Sequence, residues 1–488
     1  MTVLETIVWE YLWGMPLILI SLGVGIYLTL FTGFFQFRFF SHAMAVAWKK
    51  LFRKGASGAS GTISALEALS LAIGATVGVG NIGGVATAIA VGGPGAVFWI
   101  WVAGILGQVV KMAEISLAVH YRSHRANGTT FGGTTYYIQK GIGLEKGWPR
   151  LAKILSFIFI FGFGVSFVLT MQNYTVSEAI SSTFEWNMLA VSIVYTLLLY
   201  LMISGGLPVL GRIASRLVPL MCLFYVLAGL FILAKNAAAL PSAIAVIFQS
   251  AFTGHAAVGG FAGAAFAQVI KIGMSRAVFS NEAGWGSSPM IHASAKTSHP
   301  VSQGILGIFE VFVDTMVICS ITSLVIIVTN EWSTGASGAA LTLNAYENGI
   351  GGAGRTVLAI GILLFGLTTS SGIYAQIEVL VRYVLGRSNK AEKTILSAYK
   401  WTYPIPGLLL VVVAVVSGMP GTTVWLFADM ATALPIFANL LALLLLSPKF
   451  FELLGDYKAR FMDRGKVDEN FRVFYESPER DAVRHKTD

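Results

Sequence analysis

Apolar residues in this chain gather into long blocks separated by short polar stretches. Blocks centred on residues 12–37, 63–92, 95–120, 152–178, 188–204, 208–234, 260–295, 301–329, 355–385, 399–416 and 422–447 each come near or exceed the roughly 20 residues an α-helix needs to cross a bilayer's hydrocarbon core. The pattern predicts an all-α polytopic membrane protein of about eleven transmembrane helices. A shorter apolar block, Ala237 to Phe252, suits a partly inserted helix better than a further crossing. The block from Met15 to Phe31 has no basic residue before it and no small-residue cleavage site after it, so it reads as a retained helix.

Two blocks are unlike ordinary helices. The second runs Ile73-Gly74-Ala75-Thr76-Val77-Gly78-Val79-Gly80-Asn81-Ile82-Gly83-Gly84, with five glycines in eleven residues. Each interior glycine costs a helix about 1 kcal/mol relative to alanine, so the backbone is expected to open there. Irregular backbone at membrane depth is tolerated where it is buried in protein or lines a cavity; close packing through small residues is the competing explanation. The seventh block repeats the pattern in Phe279-Ser280-Asn281-Glu282-Ala283-Gly284-Trp285-Gly286-Ser287-Ser288-Pro289. Five crossings separate the two breaks, so they point in opposite directions through the bilayer. That is the signature of an inverted-repeat transporter whose discontinuous helices meet at the midplane. Asn81 and Asn281 beside the breaks are candidate substrate contacts. The match of Gly78, Gly80 and Gly83 to a dinucleotide-binding fingerprint lacks the strand and distal acid that such a site requires.

Other polar groups inside the blocks add candidates. Thr368, Thr369, Ser370 and Ser371 place four hydroxyls in one turn of the ninth span; they suit a hard cation or bond back to their own helix. Glu67, Glu114, Glu282, Glu310, Asp314, Glu378 and Asp429 lie within or at the ends of spans, several as structural partners; Lys111 with Glu114 and Arg276 with Glu282 are the pairs suggested by proximity in sequence. Gln172 and Asn173 either reach a central cavity or bridge helices.

Composition agrees: 55% of the 488 residues are hydrophobic and 12% charged. The net charge of +9 follows the membrane and gives no reason to expect nucleic acid. Alternate loops and the tail hold 28 basic residues, and the opposite set holds Lys235 and Arg355. Loops rich in lysine and arginine stay in the cytoplasm, so the N-terminus is expected outside and the C-terminus inside. The tail from 448 to 488 carries both signs and is expected to be a cytoplasmic extension with a short interfacial helix. Cys222 and Cys319 lie in apolar blocks and form no disulfide framework. The seven histidines show no shared metal spacing beyond His120 and His124, which match half a site and lack a third ligand. An enzyme is therefore not expected, and an ion channel would repeat one pore element around an axis.

At these residues the chain resembles the alanine or glycine:cation symporter family, also called sodium:alanine symporters. The motifs are Gly78 to Val85, Gly92 to Trp99, and Phe279 to Gly284 continuing through His292 to Pro300. The resemblance implies a leucine-transporter-type five-plus-five inverted repeat with one extra N-terminal helix. Residues 1–62 would hold that helix and a basic loop, 63–258 the first repeat, 259–447 the second, and 448–488 the tail. It further implies symport of a small neutral amino acid with sodium, or sometimes protons, across a prokaryotic plasma membrane, with membrane lipid around it and no cofactor beyond the coupling ion. By that analogy Thr76, Gly80, Asn81, Ser280 and Gly284 contact the substrate. Sodium is held by backbone near Gly74 and Val77 with Thr368 and Thr369. Many members carry a Ser-Thr-Ile-Leu-Gly-Trp run where this chain has Thr368 to Ile373.

Overall fold

The computed structural model describes residues 3–52, 62–124, 128–253, 266–386 and 389–476 and is almost entirely helical. Among the described residues, nine helical stretches are long and apolar enough to cross a membrane: Val3–Phe31, Ala65–Gly92, Gly95–His120, Pro149–Phe184, Gly206–Lys235, Pro300–Val328, Gly352–Leu385, Ala391–Ser417 and Gly421–Met462. Two further blocks from the sequence are shorter helices. Met188–Ile203 has 16 residues, and the seventh block is a discontinuous pair, Phe266–Asn281 and Ser288–His292. The beginning of that block and the expected 258/259 repeat boundary fall outside the described residues. The chain is a multi-pass membrane protein.

We label the helices used below in chain order: α1 Ala65–Thr76, α2 Val85–Gly92, α3 Gly95–His120, α4 Gln172–Phe184, α5 Phe266–Asn281, α6 Ser288–His292, α7 Pro300–Val311, α8 Gly338–Ile350, α9 Gly352–Leu385 and α10 Gly421–Met462. Helix α1 starts in a capping box: Ser64 Oγ accepts from the Glu67 amide while Glu67 Oε2 accepts from the Ser64 amide, satisfying two donors the helix leaves open. Helices α3, α5 and α7 pack side by side through glycines. A Cβ on Gly304 would lie 2.1 Å from Ser116 Oγ, and one on Gly273 2.7 Å from the Ala96 carbonyl oxygen. Small residues permit this approach where lipid supplies no hydrophobic drive between helices. The block 237–252 forms a short turn followed by the helix Leu240–Thr253, which packs on α3.

The tail departs from the sequence expectation. Among the described residues there is no separate interfacial helix, because α10 continues unbroken to Met462 despite Pro435 and Pro448. Residues 463–476 then turn back across the face that carries the basic loops. The Tyr475 amide donates to the His120 carbonyl (2.9 Å), His120 Nδ1 donates to the Val473 carbonyl (2.8 Å), and Lys140 pairs with Glu476 (2.7 Å). Residues 477–488 lie outside the described segments.

Candidate functional site

The first break opens where the glycines predict it. After Thr76, Val77 is extended (ψ 99°), a π-type turn spans Gly80–Gly84, and α2 resumes at Val85. Asn81 closes the opening from inside, since its Oδ1 accepts from the Gly78 amide at 2.8 Å. The second break follows Asn281. Glu282 takes a left-handed conformation (φ 57°), as do Gly284 (φ 85°) and Gly286 (φ 79°), before Pro289 starts the short α6. Glycine adopts that region freely, whereas a glutamate is held there by its surroundings. Glu282 Oε2 accepts from Ser287 Oγ (2.5 Å), Ser288 Oγ (3.1 Å) and Gln376 Nε2 (3.2 Å).

The two breaks touch. A Cβ on Gly80 would fall 3.0 Å from the Phe279 ring and 3.3 Å from Ser280 Cα. Asp314 joins them. It sits fully buried in a π-type turn, Phe312–Cys319, that continues α7. Its Oδ1 accepts from Asn81 Nδ2 at 2.6 Å, and its Oδ2 accepts from Ser280 Oγ and Thr315 Oγ1, each at 2.9 Å. One carboxylate thus takes a donor from beside each break. Asn281 is one residue further on: its Nδ2 donates to Thr315 Oγ1 (3.0 Å), and its carbonyl accepts from Lys111 Nζ (2.5 Å).

The four cation candidates are partly assembled. Thr369 Oγ1 reaches across from α9 to the Gly74 carbonyl oxygen at 3.2 Å, and a Cβ on Gly78 would fall 2.0 Å from that hydroxyl. Thr368 Oγ1 instead bonds back to the carbonyls of Leu364 (3.1 Å) and Phe365 (2.9 Å). Val77 is fully buried between Thr76 and Gly78. Of the substrate candidates, Asn81 and Ser280 meet at Asp314, and Gly80 lies against Ser280. Thr76 Oγ1 bonds back to the Ala72 carbonyl (3.1 Å), and the Gly284 carbonyl accepts from Asn439 Nδ2 (3.0 Å). Ser370 Oγ shares a hydrogen bond with the Tyr195 hydroxyl (2.7 Å), and Ser371 Oγ donates to the Thr368 carbonyl (2.9 Å). Asn173 bridges helices through Thr196 Oγ1 (3.1 Å).

Long-range ion pairs replace both pairs suggested by sequence proximity. Lys111 pairs with Glu310 (2.7 Å), not Glu114, and Arg276 pairs with Asp429 (2.6 Å), not Glu282. Each involves side chains nearly or wholly buried, where opposite charges are retained only when matched. Glu114 accepts from Asn439 Nδ2. Sequence reasoning named Asp314 among the membrane acids without giving it a role, although an acid inside an apolar span is already a signal.

Comparison with known proteins identifies the family and the fold. A family model described as the sodium:alanine symporter family matches residues 1–472. The chain is 36% identical over 448 residues to a sodium/alanine symporter, AgcS, of Methanococcus maripaludis, covering 90% of this chain and 93% of that one. It is also 36% identical over 450 residues to a probable sodium/glutamine symporter, GlnT, of Bacillus subtilis, covering 92% and 89%. Among solved structures, MhsT in complex with L-phenylalanine shares the fold with a TM-score of 0.53 at 14% identity, over 80% of this chain and 90% of that one. The fold is of the leucine-transporter type, and the chain belongs to the sodium:alanine symporter family.

Proposed function

We propose that this protein is a secondary active symporter that moves a small neutral amino acid, such as alanine or glycine, together with sodium by alternating access. The observation that carries the reading is the meeting of Thr369 Oγ1 with the Gly74 carbonyl oxygen just before the first break. A hydroxyl and a main-chain carbonyl from two helices are the oxygen ligands a hard cation takes, and they adjoin the segment whose amides are freed for an anionic substrate group. The two relatives above are described as sodium symporters of alanine and of glutamine, which supports the choice of ion and of a neutral amino acid. Substrate contacts are assigned to Thr76, Gly80, Asn81, Ser280, Asn281 and Gly284, and sodium ligands to Gly74, Val77, Thr368 and Thr369. Residues 63–258 and 259–447 form the two repeats, with the N-terminus outside and the C-terminus in the cytoplasm of a prokaryote.

Uptake of labelled alanine, glycine and glutamine into proteoliposomes tests the proposal. An inward sodium gradient should drive accumulation of at least one of them, and an inward proton gradient without sodium should not. Uptake driven by the proton gradient and not by sodium would replace sodium with protons, and no accumulation of any amino acid would remove the substrate class.

A further inference from the structure

A second polar constellation lies toward the outer face of the proposed topology, away from Asp314 and Thr369. Glu178 stands on α4 about 9 Å along the helix from Gln172, at a rise of 1.5 Å per residue. Its carboxylate faces two glycines. A Cβ on Gly338 would fall 3.2 Å from Oε2, and one on Gly421 would fall 3.4 Å from Oε1 and 3.3 Å from the Tyr174 hydroxyl. Trp425 completes the notch, with its Nε1 3.8 Å from the same Gly338 position. The two glycines let their backbones come close to an acid, a phenol and an indole, with no room for a Cβ at ordinary contact distance.

Two atoms here lack partners among the described residues. Glu178 Oε2, an acceptor, and Trp425 Nε1, a donor, are both enclosed and make no hydrogen bond. Trp425 is 1% exposed, so its N–H is not turned to solvent. No described lysine or arginine pairs with Glu178. A buried anion is ordinarily matched by a cation or by donors, and a buried N–H by an acceptor. Sodium would satisfy the carboxylate and leave the indole donor unmet. A proton would do the same. A zwitterion satisfies both, its ammonium on Glu178 Oε2 beside the Tyr174 hydroxyl and its carboxylate on Trp425 Nε1.

The position of Trp425 gives the notch a role in the path inward. The far side of its ring covers the first break, 3.0 Å from the Cβ position of Gly83 and 3.3 Å from that of Gly84. Arg276 lies over the ring at 5.2 Å, and Phe279 meets it edge-on at 5.5 Å. A ligand that moves Trp425 therefore acts on the cover of the central site.

We infer that Glu178, Trp425 and Tyr174 form an outer receiving site for the zwitterionic head of an amino acid, occupied before the substrate passes the Trp425 cover. This rests on the amino-acid reading of the preceding subsection. The test is uptake of labelled alanine, glycine and glutamine by the full-length protein in proteoliposomes under an inward sodium gradient. Wild type is compared with Glu178→Gln, Glu178→Asp and Trp425→Phe, each first shown to be monodisperse. Glu178→Gln removes the charge that holds the ammonium and should raise KM about tenfold with a much smaller change in maximal rate. Glu178→Asp should recover part of that loss, Trp425→Phe should raise KM a fewfold (about three to five) through loss of the indole donor, and half-saturating sodium should stay within about twofold of wild type in all three. A KM unchanged in both Glu178→Gln and Trp425→Phe would overturn the inference. So would a loss confined to maximal rate, which marks a structural role, or a shifted sodium curve, which marks a cation ligand. Failure of wild type to take up any of the three amino acids would instead overturn the function reading, and this inference with it.

Discussion

Replacing Thr369 with alanine separates a cation ligand from a packing contact. The wild-type hydroxyl lies 3.2 Å from the Gly74 carbonyl, and its neighbour Thr368 is already satisfied by two carbonyls of its own helix. Removing one oxygen from a charged group costs about 1.5–3 kcal/mol, so half-saturating sodium should rise about tenfold or more in Thr369→Ala. Thr368→Ala should also raise it, but by less than Thr369→Ala, since Thr368 Oγ1 must first leave two carbonyls of its own helix to reach the cation. Gly78→Ala reaches the same atom from the other side. Its new methyl would overlap Thr369 Oγ1, 2.0 Å away, and overpacking of this kind costs about 1–3 kcal/mol. Gly78→Ala should therefore lower the melting temperature in detergent and also weaken sodium dependence. In the Gly78→Ala/Thr369→Ala double variant the nearest remaining atom of residue 369 is Cβ at 3.2 Å, so thermal stability should partly return while sodium dependence stays poor. The assay is initial uptake against sodium at fixed pH, paired with thermal melts. An unaltered sodium curve in Thr369→Ala would refute the assignment.

Four further outcomes are expected. Asp314→Asn turns an amide donor toward one of the three donors that now converge on the carboxylate, a mismatch of about 1–3 kcal/mol; melting temperature and uptake should both fall, and unchanged values would show that the two breaks do not depend on this residue. Lys111→Met leaves Glu310 buried without its lysine and should destabilise by about 3–5 kcal/mol, whereas Lys111→Met/Glu310→Gln should recover part of the loss; an additive double variant would deny the coupling. Burial holds the His299 imidazole below its ordinary value, although Asp456 opposes the shift, and His299 Nδ1 accepts from the Val301 amide that protonation would oppose. Between pH about 6.5 and about 4 the unfolded chain binds this proton and the native chain does not, so stability should fall as pH drops through that window, and His299→Gln should flatten that part of the melting profile. Single cysteines at Thr334 and Lys393, both exposed, should react oppositely with an impermeant thiol reagent on intact cells; labelling at Lys393 and not at Thr334 would reverse the proposed orientation.

The sequence foretold the structure best where backbone chemistry is local. Five glycines between 74 and 84, and the Gly-Trp-Gly-Ser-Ser-Pro run after Asn281, state on their own that a helix cannot continue, and both breaks lie at those residues. Partners far apart in the chain were not legible. Lys111 sits one turn from Glu114 but pairs with Glu310, because which acid faces a buried lysine depends on how α3 and α7 are rotated against each other. Asn81 and Ser280 stood out as polar residues beside breaks, yet that both donate to Asp314 requires the π-type turn at Phe312–Cys319, which no residue pattern announces. Glu178 was equally hidden: at the end of an apolar block it reads as a solvated boundary acid, and two glycines from elsewhere in the chain make it part of a notch.

Helix α10 has 42 residues, so it is about 60 Å long, twice the thickness of the hydrocarbon core. Its lower part is a lever. A tilt of about 10° at the midplane carries an arm of about 30 Å through about 5 Å at its tip. The segment that follows, 463–476, is hydrogen-bonded to His120 at the foot of α3, so those bonds resist this swing while α3 stays put. The two helices are yoked at their base, and any opening of that face must either carry both together or begin by unfastening Val473 and Tyr475.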